Sequence, residues 1–231
     1  MKTALIIGDS QAQACAASAI SRLNSDGYSV AGTFAKHGAG SNDVLSQAKL
    51  AKEKCKNPDL VLVFSGSVEN NIAAGSGIPD LFPSSNIIWY GSSPATKILN
   101  VALAKKVFSS KVDSEDYWFS SSDAKDRESR NVKLKSFFAG KPKITYVDYR
   151  DLVFSGDVLQ SSGVSFPDLQ DGIHITPSVA KEMFNSTNFP PKNSLYKSGQ
   201  DTWFGVKKTT LVVSGVVTLL TAYLLYRLSK K

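Results

Sequence analysis

Short apolar runs alternate with longer helical patterns over most of the chain, and this alternation constrains the fold more than any other feature. The apolar runs predict five strands, at Thr3–Ile7, Ser29–Phe34, Leu60–Phe64, Ile87–Tyr90 and Ile144–Asp148. Helices are predicted between and after them, over residues 11–24, 43–56, 94–108, 124–138 and 177–185. Continuous apolar strands of this kind are typical of parallel sheets that are covered on both faces. The sequence therefore predicts one α/β domain over residues 1–185, with a doubly wound, five-stranded parallel sheet.

The net charge of +7 comes mainly from the C-terminal end of the chain. Five of the 27 Lys and Arg residues and one of the 20 acidic residues follow residue 200, so the first 200 residues carry only +3. This charge is spread without a dense basic stripe, which argues against a nucleic-acid partner. Two cysteines, Cys15 and Cys55, and two histidines are too few for a disulfide framework or a His/Cys metal cluster. We expect neither a metal nor an organic cofactor.

An uncharged segment of 18 residues, Thr209–Tyr226, lies close to the end of the sequence. Basic residues stand on both sides of it, namely Lys207, Lys208, Arg227, Lys230 and Lys231. About 20 apolar residues span a bilayer core, and flanking Lys and Arg side chains can lengthen a short helix. The sequence predicts a linker over 186–206, a single-pass transmembrane helix over 207–228 and a basic tail over 229–231. The similar basic content on the two sides leaves the side of the membrane open.

The N-terminus lacks the pattern of a cleaved signal peptide. The apolar stretch after Lys2 is five residues long before Gly8 interrupts it. A signal peptide normally has an apolar core of roughly 7–15 residues. We therefore expect this stretch to be the first buried strand, in a membrane protein without a cleaved signal.

Two blocks at opposite ends of the predicted domain carry the residue types of a serine hydrolase. Gly8-Asp9-Ser10 ends the first strand, and the helix that follows at once favours negative charge beside Ser10. Asp171-Gly172-Ile173-His174 precedes the last helix. A hydroxyl nucleophile needs a base within hydrogen-bond reach and an acid that orients the base. Ser10, His174 and Asp171 can form this triad if both loops open on one sheet edge; taken singly, the blocks also suit a helix cap and a surface turn.

The chain resembles the SGNH hydrolases of the GDSL esterase/lipase group over about residues 2–185. The nucleophile block is GDSQ, with Gln11 where the family often has Leu, and DGIHIT carries the Asp-x-x-His pair. Ala39-Gly40-Ser41-Asn42 resembles the block whose glycine N–H serves the oxyanion hole, and Gly91-Ser92-Ser93-Pro94 is similar to the family's Gly-x-x-Pro stretch. The resemblance implies a flavodoxin-like sheet of the SGNH-hydrolase type.

One block departs from the family pattern. After the third strand the family has Gly-x-Asn-Asp, but this chain has Val68 at the Asn position counted from Gly66. A bulged or lengthened loop could bring in Asn70 as the donor, with Asn71 less favoured. The resemblance implies an oxyanion hole made by the backbone N–H groups of Ser10 and Gly40 and the Asn70 amide. Losing one such donor typically costs about 10²–10³ in rate, so a weak or inactive enzyme is also conceivable.

The activity implied by the resemblance is serine ester hydrolysis through a Ser-His-Asp triad. Ser10 would attack an ester carbonyl while His174 takes its proton and Asp171 holds the imidazolium. With the predicted anchor, the expected substrate is an O-acyl ester near a membrane, either on an acetylated glycan or in a lipid. The alternative is an inactive binding or structural protein of the same fold, such as a membrane-entering component of a virus.

Three other features have two interpretations each. Asp168, three residues before the predicted triad acid, is the alternative acid. His37 follows the second strand and lines the cleft or, as we favour, is a solvated loop residue. Trp118 and Phe119 form a substrate wall or simply pack. The charged run Asp123–Lys135 predicts a solvated helix face.

Overall fold

Five strands form one parallel sheet in the computed structural model. They are β1 (Lys2–Gly8), β2 (Tyr28–Ala35), β3 (Leu60–Phe64), β4 (Asn86–Tyr90) and β5 (Ile144–Val147). Their order in the sheet is β2-β1-β3-β4-β5, and every neighbouring pair is parallel. This is the flavodoxin-like order, so the predicted sheet is confirmed. The structure describes residues 1–65, 72–93, 95, 98–108, 112–120, 123–147, 170–185, 202–203 and 206–207.

The continuous apolar strands supply two hydrophobic cores, one on each face of the sheet. In β1, Ala4 and Ile6 belong to one core, whereas Leu5 and Ile7 belong to the other. The same alternation holds in β3 and β4. Burying one large aliphatic side chain contributes about 1.5–3 kcal/mol, so two full cores fix the sheet and hence the positions of its strand ends.

Helices cover both faces of the sheet. They are α1 (Ser10–Ser25), α2 (Ser41–Lys54), α3 (Ile72–Leu81), α4 (Val101–Phe108), α5 (Tyr117–Ser120), α6 (Asp123–Phe138) and α7 (Pro177–Asn185). Buried side chains of α1 and α7 join one core, and those of α2, α3 and α6 join the other. A third cluster packs α4 and α5 against Ile173. The loop that carries His174 is therefore backed by the α4–α5 segment.

Helices α3 and α5 are absent from the predicted set, and α4 begins later than predicted. Helix α3 was not predicted, because its sequence IAAGSGIPDL contains residues that disfavour helices. Helix α4 begins at Val101 rather than at residue 94. Its N-terminus is capped by Asn100, whose side-chain oxygen accepts the Leu103 N–H at 2.9 Å.

The chain divides into two compact units, Met1–Ser194 and Leu195–Lys231. In the second unit, β6 (Thr202–Trp203) pairs antiparallel with β7 (Val206–Lys207). Lys207 is the first residue of the range predicted to be a transmembrane helix, and the rest of that range lies outside the described residues. Within the parts that the structure describes, no helix is long and apolar enough to cross a membrane.

Candidate active site

Ser10 lies at a tight turn between β1 and α1, where it is the first residue of the helix. The turn requires Gly8, because its φ is +155° and a Cβ there would lie 2.2 Å from the Phe64 carbonyl oxygen. Asp9 caps α1 by accepting the Gln11 N–H at 2.9 Å. The sheet, the turn and the cap therefore hold Ser10 at the carboxyl edge of the central strands, where doubly wound folds bind ligands.

The structure brings Ser10, His174 and Asp171 into one hydrogen-bonded chain. His174 Nε2 is 3.0 Å from Ser10 Oγ, and His174 Nδ1 is 2.7 Å from Asp171 Oδ2. The other carboxylate oxygen, Asp171 Oδ1, accepts the backbone N–H groups of Ile173 at 3.0 Å and of His174 at 2.8 Å. The carboxylate therefore fixes both the ring and the backbone of the histidine.

The surroundings of Asp171 keep its carboxyl group ionised. Burial alone would raise its pKa, but hydrogen bonds from the His174 ring and from the backbone outweigh burial and lower the pKa below the usual value. An ionised carboxylate can only accept hydrogen bonds. The proton of a neutral His174 is therefore on Nδ1, which leaves Nε2 free to accept the Ser10 hydroxyl proton. This is the protonation state that a general base requires.

Two rings flank His174. The Phe108 ring is stacked on it, with ring centroids 5.3 Å apart and planes 5° apart. The His37 ring centroid is 5.4 Å from that of His174, and His37 is exposed. His37 is therefore both a solvated loop residue and part of the wall around the site, so the two interpretations of it hold together. Trp118 packs edge-on against Phe108, so the aromatic wall continues into α5.

Trp118 also supports the loop that carries the acid. Its indole Nε1 donates to the Asp171 carbonyl oxygen at 2.8 Å, and Trp118 is only 8% exposed. The packing interpretation of Trp118 is thus correct for most of its surface, and its hydrogen bond ties α5 to Asp171.

A second support comes from the loop after β4 and was missed in the sequence. Ser93, in the stretch that is similar to the family's Gly-x-x-Pro block, donates its hydroxyl to the Ile173 carbonyl oxygen at 2.7 Å. Ser92 exchanges two hydrogen bonds with the Asn131 side chain, at 2.7 and 3.1 Å. Arg127 Nη1 lies 3.3 Å from the Ser93 carbonyl oxygen. The loop after β4 is therefore held between α6 and the histidine loop.

The burial of Arg127 and Asn131 corrects the prediction of a solvated face over Asp123–Lys135. They are 6% and 5% exposed and lie four residues apart, on one face of α6. Gly91 lies against this face, since a Cβ there would meet Asn131 Oδ1 at 2.6 Å. The i, i+4 spacing of Arg127 and Asn131 is visible in the sequence. Because charged residues surround the pair, the sequence does not show that this face of α6 is buried.

The predicted oxyanion donors are only partly described. Gly40 is the N-cap of α2, and its backbone N–H interacts with Asp43, one turn into that helix. The pKa of Asp43 is lowered mainly by a hydrogen bond from Lys36 and by its charge, with a smaller effect from the Gly40 N–H. Asn70, Asn71 and the alternative acid Asp168 lie outside the described residues.

Similarity to solved structures identifies the fold. An acetyl xylan esterase from Geobacillus stearothermophilus superimposes with a TM-score of 0.56 at 12% identity, covering 85% of this chain and 97% of that chain. A member of the lipolytic protein G-D-S-L family from Veillonella parvula gives 0.52 at 11% identity, covering 84% and 100%. A carbohydrate acetylesterase from Sinorhizobium meliloti gives 0.51 at 12% identity, covering 80% and 95%. The chain has the SGNH-hydrolase fold.

These similarities concern the fold alone. No protein-family model matches the sequence, and no curated protein matches it significantly. In the described ranges, no group of three or more His, Cys, Asp or Glu side chains is placed to hold a metal ion.

Proposed function

We propose that this protein is a serine ester hydrolase with Ser10 as nucleophile, His174 as general base and Asp171 as the acid that orients the base. The observation that carries the proposal is the unbroken chain of contacts, 3.0 Å from Ser10 Oγ to His174 Nε2 and 2.7 Å from His174 Nδ1 to Asp171 Oδ2. A helix cap or a surface turn would not require these contacts. The SGNH fold, which the solved esterases share, supports the same chemistry.

The proposed reaction has two steps. Ser10 Oγ attacks the ester carbonyl carbon as its proton passes to His174 Nε2. The tetrahedral intermediate then collapses, the alcohol leaves with the proton from His174, and the acyl group stays on Ser10. In the second step His174 takes a proton from water, the hydroxide attacks the acyl-serine, and the carboxylic acid leaves as Ser10 regains its proton. The backbone N–H groups of Ser10 and Gly40 and the Asn70 amide would stabilise the oxyanion in both steps.

The proposed substrate is an O-acyl ester, carried by a glycan or by a lipid. The similar structures include an acetyl xylan esterase and a carbohydrate acetylesterase, which supports an acetyl group on a glycan. The predicted anchor supports a substrate at a membrane. Comparing p-nitrophenyl acetate with p-nitrophenyl octanoate distinguishes the two, because an acetyl-sized pocket would turn over the octanoate much more slowly.

The proposed anchor is the uncharged segment Thr209–Tyr226 with its basic flanks. A helix of 18 residues rises about 27 Å at 1.5 Å per residue, close to the thickness of a bilayer core. The segment would hold the hydrolase domain within reach of one membrane surface. Its orientation stays open.

The test of the hydrolase proposal is ester turnover by the full chain in detergent. We expect hydrolysis of p-nitrophenyl acetate, and we expect Ser10→Ala to lower kcat by about 10⁴ or more. Ser21→Ala is the matched control, because Ser21 is an exposed serine of the same helix. A Ser10→Ala variant that retains wild-type turnover would refute the role of Ser10. A folded wild-type protein that hydrolyses none of the esters would favour the binding-protein alternative.

A further inference from the structure

Gln11, the residue after Ser10, makes two hydrogen bonds to the histidine loop and a third to the loop after β4. Its Nε2 donates to the Ile173 carbonyl oxygen at 3.0 Å and to Ser93 Oγ at 2.9 Å. Its Oε1 accepts the Ile175 N–H at 3.0 Å. Ile173 and Ile175 are the two neighbours of His174 in the chain. One side chain therefore binds the backbone on both sides of the histidine.

Gln11 is buried, so water does not compete for these hydrogen bonds. Gln11 is 1% exposed, and both amide hydrogens and the amide oxygen have partners. Burying an amide costs free energy unless it is hydrogen-bonded, and removing one partner of a buried hydrogen bond leaves the other unsatisfied at a cost of about 1–3 kcal/mol. An apolar side chain at this position would leave the Ile175 N–H without its acceptor, so a variant is compared with a control of similar loss in stability.

The chain path explains what the amide adds. Ser10 and Gln11 are consecutive residues of α1. The Ser10 hydroxyl and the Gln11 side-chain amide that is hydrogen-bonded to the histidine loop are therefore attached to the same turn of backbone. Asp171 holds the same loop from the other side, through the N–H groups of Ile173 and His174. Gln11 is thus a short polar bridge between Ser10 and the histidine loop, beside the apolar packing of α1 against α7 in one core.

We propose that Gln11 is a positioning residue that fixes His174 at hydrogen-bond distance from Ser10. The proposal rests on the function proposed above for its catalytic consequence, whereas its geometric part does not depend on turnover. Without the bridge, the histidine loop keeps its contacts to Trp118 and Ser93, so the domain folds but the ring moves relative to Ser10. A displacement of about 1 Å between reacting groups can cost about 10² in rate.

The test replaces the amide by an apolar side chain of similar length, Gln11→Met. We expect kcat for p-nitrophenyl acetate to fall by about 10–10² with KM within twofold, because ground-state binding does not use the bridge. NMR of the resting protein measures the second effect: we expect the His174 proton on Nδ1 to exchange faster with water in the variant than in the wild type. Gln11→Met should remain folded, as judged by circular dichroism.

The matched control is Leu23→Ala, a buried residue of the same helix at its other end. It should lower the melting temperature while leaving kcat and the His174 proton unchanged at temperatures where the protein is folded. An active wild type with Gln11→Met equal to it in kcat and proton exchange would overturn the proposal. A wild type without turnover, whose His174 proton is nevertheless lost in Gln11→Met, would refute the hydrolase and keep the positioning role.

Discussion

Replacing Asp171 by Asn tests how the histidine is oriented. The asparagine oxygen can still accept the backbone N–H groups of Ile173 and His174, but its NH₂ group then faces His174 Nδ1. Nδ1 becomes an acceptor, and the ring proton moves to Nε2, where it blocks proton transfer from Ser10. The variant also loses the charge that stabilises the imidazolium. Unit charges about 4 Å apart attract by about 4 kcal/mol at an effective dielectric constant of 20, a factor of about 10³ in rate.

The expected loss in kcat at neutral pH is therefore about 10³–10⁴, with KM little changed, when the wrong tautomer is included. Turnover of p-nitrophenyl acetate measures it, and thermal unfolding checks that the variant folds. Asp168→Asn is the matched control, because it removes the alternative acid and should keep at least half of the wild-type kcat. A kcat for Asp171→Asn within tenfold of wild type, or a larger loss in Asp168→Asn, would refute the assignment of Asp171.

Four other experiments test the glycine turn, the oxyanion hole, the anchor and the pKa of Asp171. Gly8→Ala should lower the free energy of unfolding by about 3 kcal/mol, because the added Cβ meets the backbone of β3 at a strained φ; unchanged denaturant unfolding would contradict this. Asn70→Ala should lower kcat by about 10²–10³ with little change in KM, and Asn71→Ala should lower it much less. If kcat of Asn70→Ala equals that of the wild type, Asn70 is not an oxyanion donor. The full chain should resist extraction from membranes by high salt and by carbonate, because burial of Thr209–Tyr226 is hydrophobic; release by salt alone would mean surface attachment. The pKa of Asp171 is lower in the folded protein than in the unfolded chain. The ionised carboxylate therefore stabilises the fold fully above the unfolded pKa of about 3.9, and this stabilisation is lost as the pH falls through the lower folded pKa. In acid unfolding, the difference in stability between wild type and Asp171→Asn should shrink below about pH 4, and a difference that stays constant would refute this.

The sheet could be predicted from the sequence because its central strands, β1, β3 and β4, are apolar on both faces. Each predicted strand lies within one residue of the observed bounds, since the apolar runs feed both cores and end where polar loops begin. Helix α3 could not be predicted from its residues, which include Gly and Pro. The parallel pairing of β3 and β4 was the available signal, because a parallel connection needs a crossover that is usually helical.

The candidate site could be predicted only where its residue types are distinctive. Ser10, Asp171 and His174 lie in short blocks that carry recognisable chemistry. The partners that hold these blocks together are far apart in sequence, as with Gln11 and Ile173, whose contact spans 162 residues. Ser93 belongs to a short stretch that resembles the family pattern, but that pattern does not show that its hydroxyl binds the histidine loop. Spacing alone does not reveal such long-range polar contacts, which depend on how the elements pack.

The most direct test of the central claim is covalent labelling of the nucleophile. A fluorophosphonate reacts with a serine whose hydroxyl is activated by a neighbouring base, and it needs no knowledge of the natural ester. We expect one label per full-length chain, mapped by peptide mass spectrometry to Ser10, and much slower labelling when His174 is replaced by Ala. A folded wild-type protein that takes up no label, or that is labelled at another serine, would contradict the proposed triad.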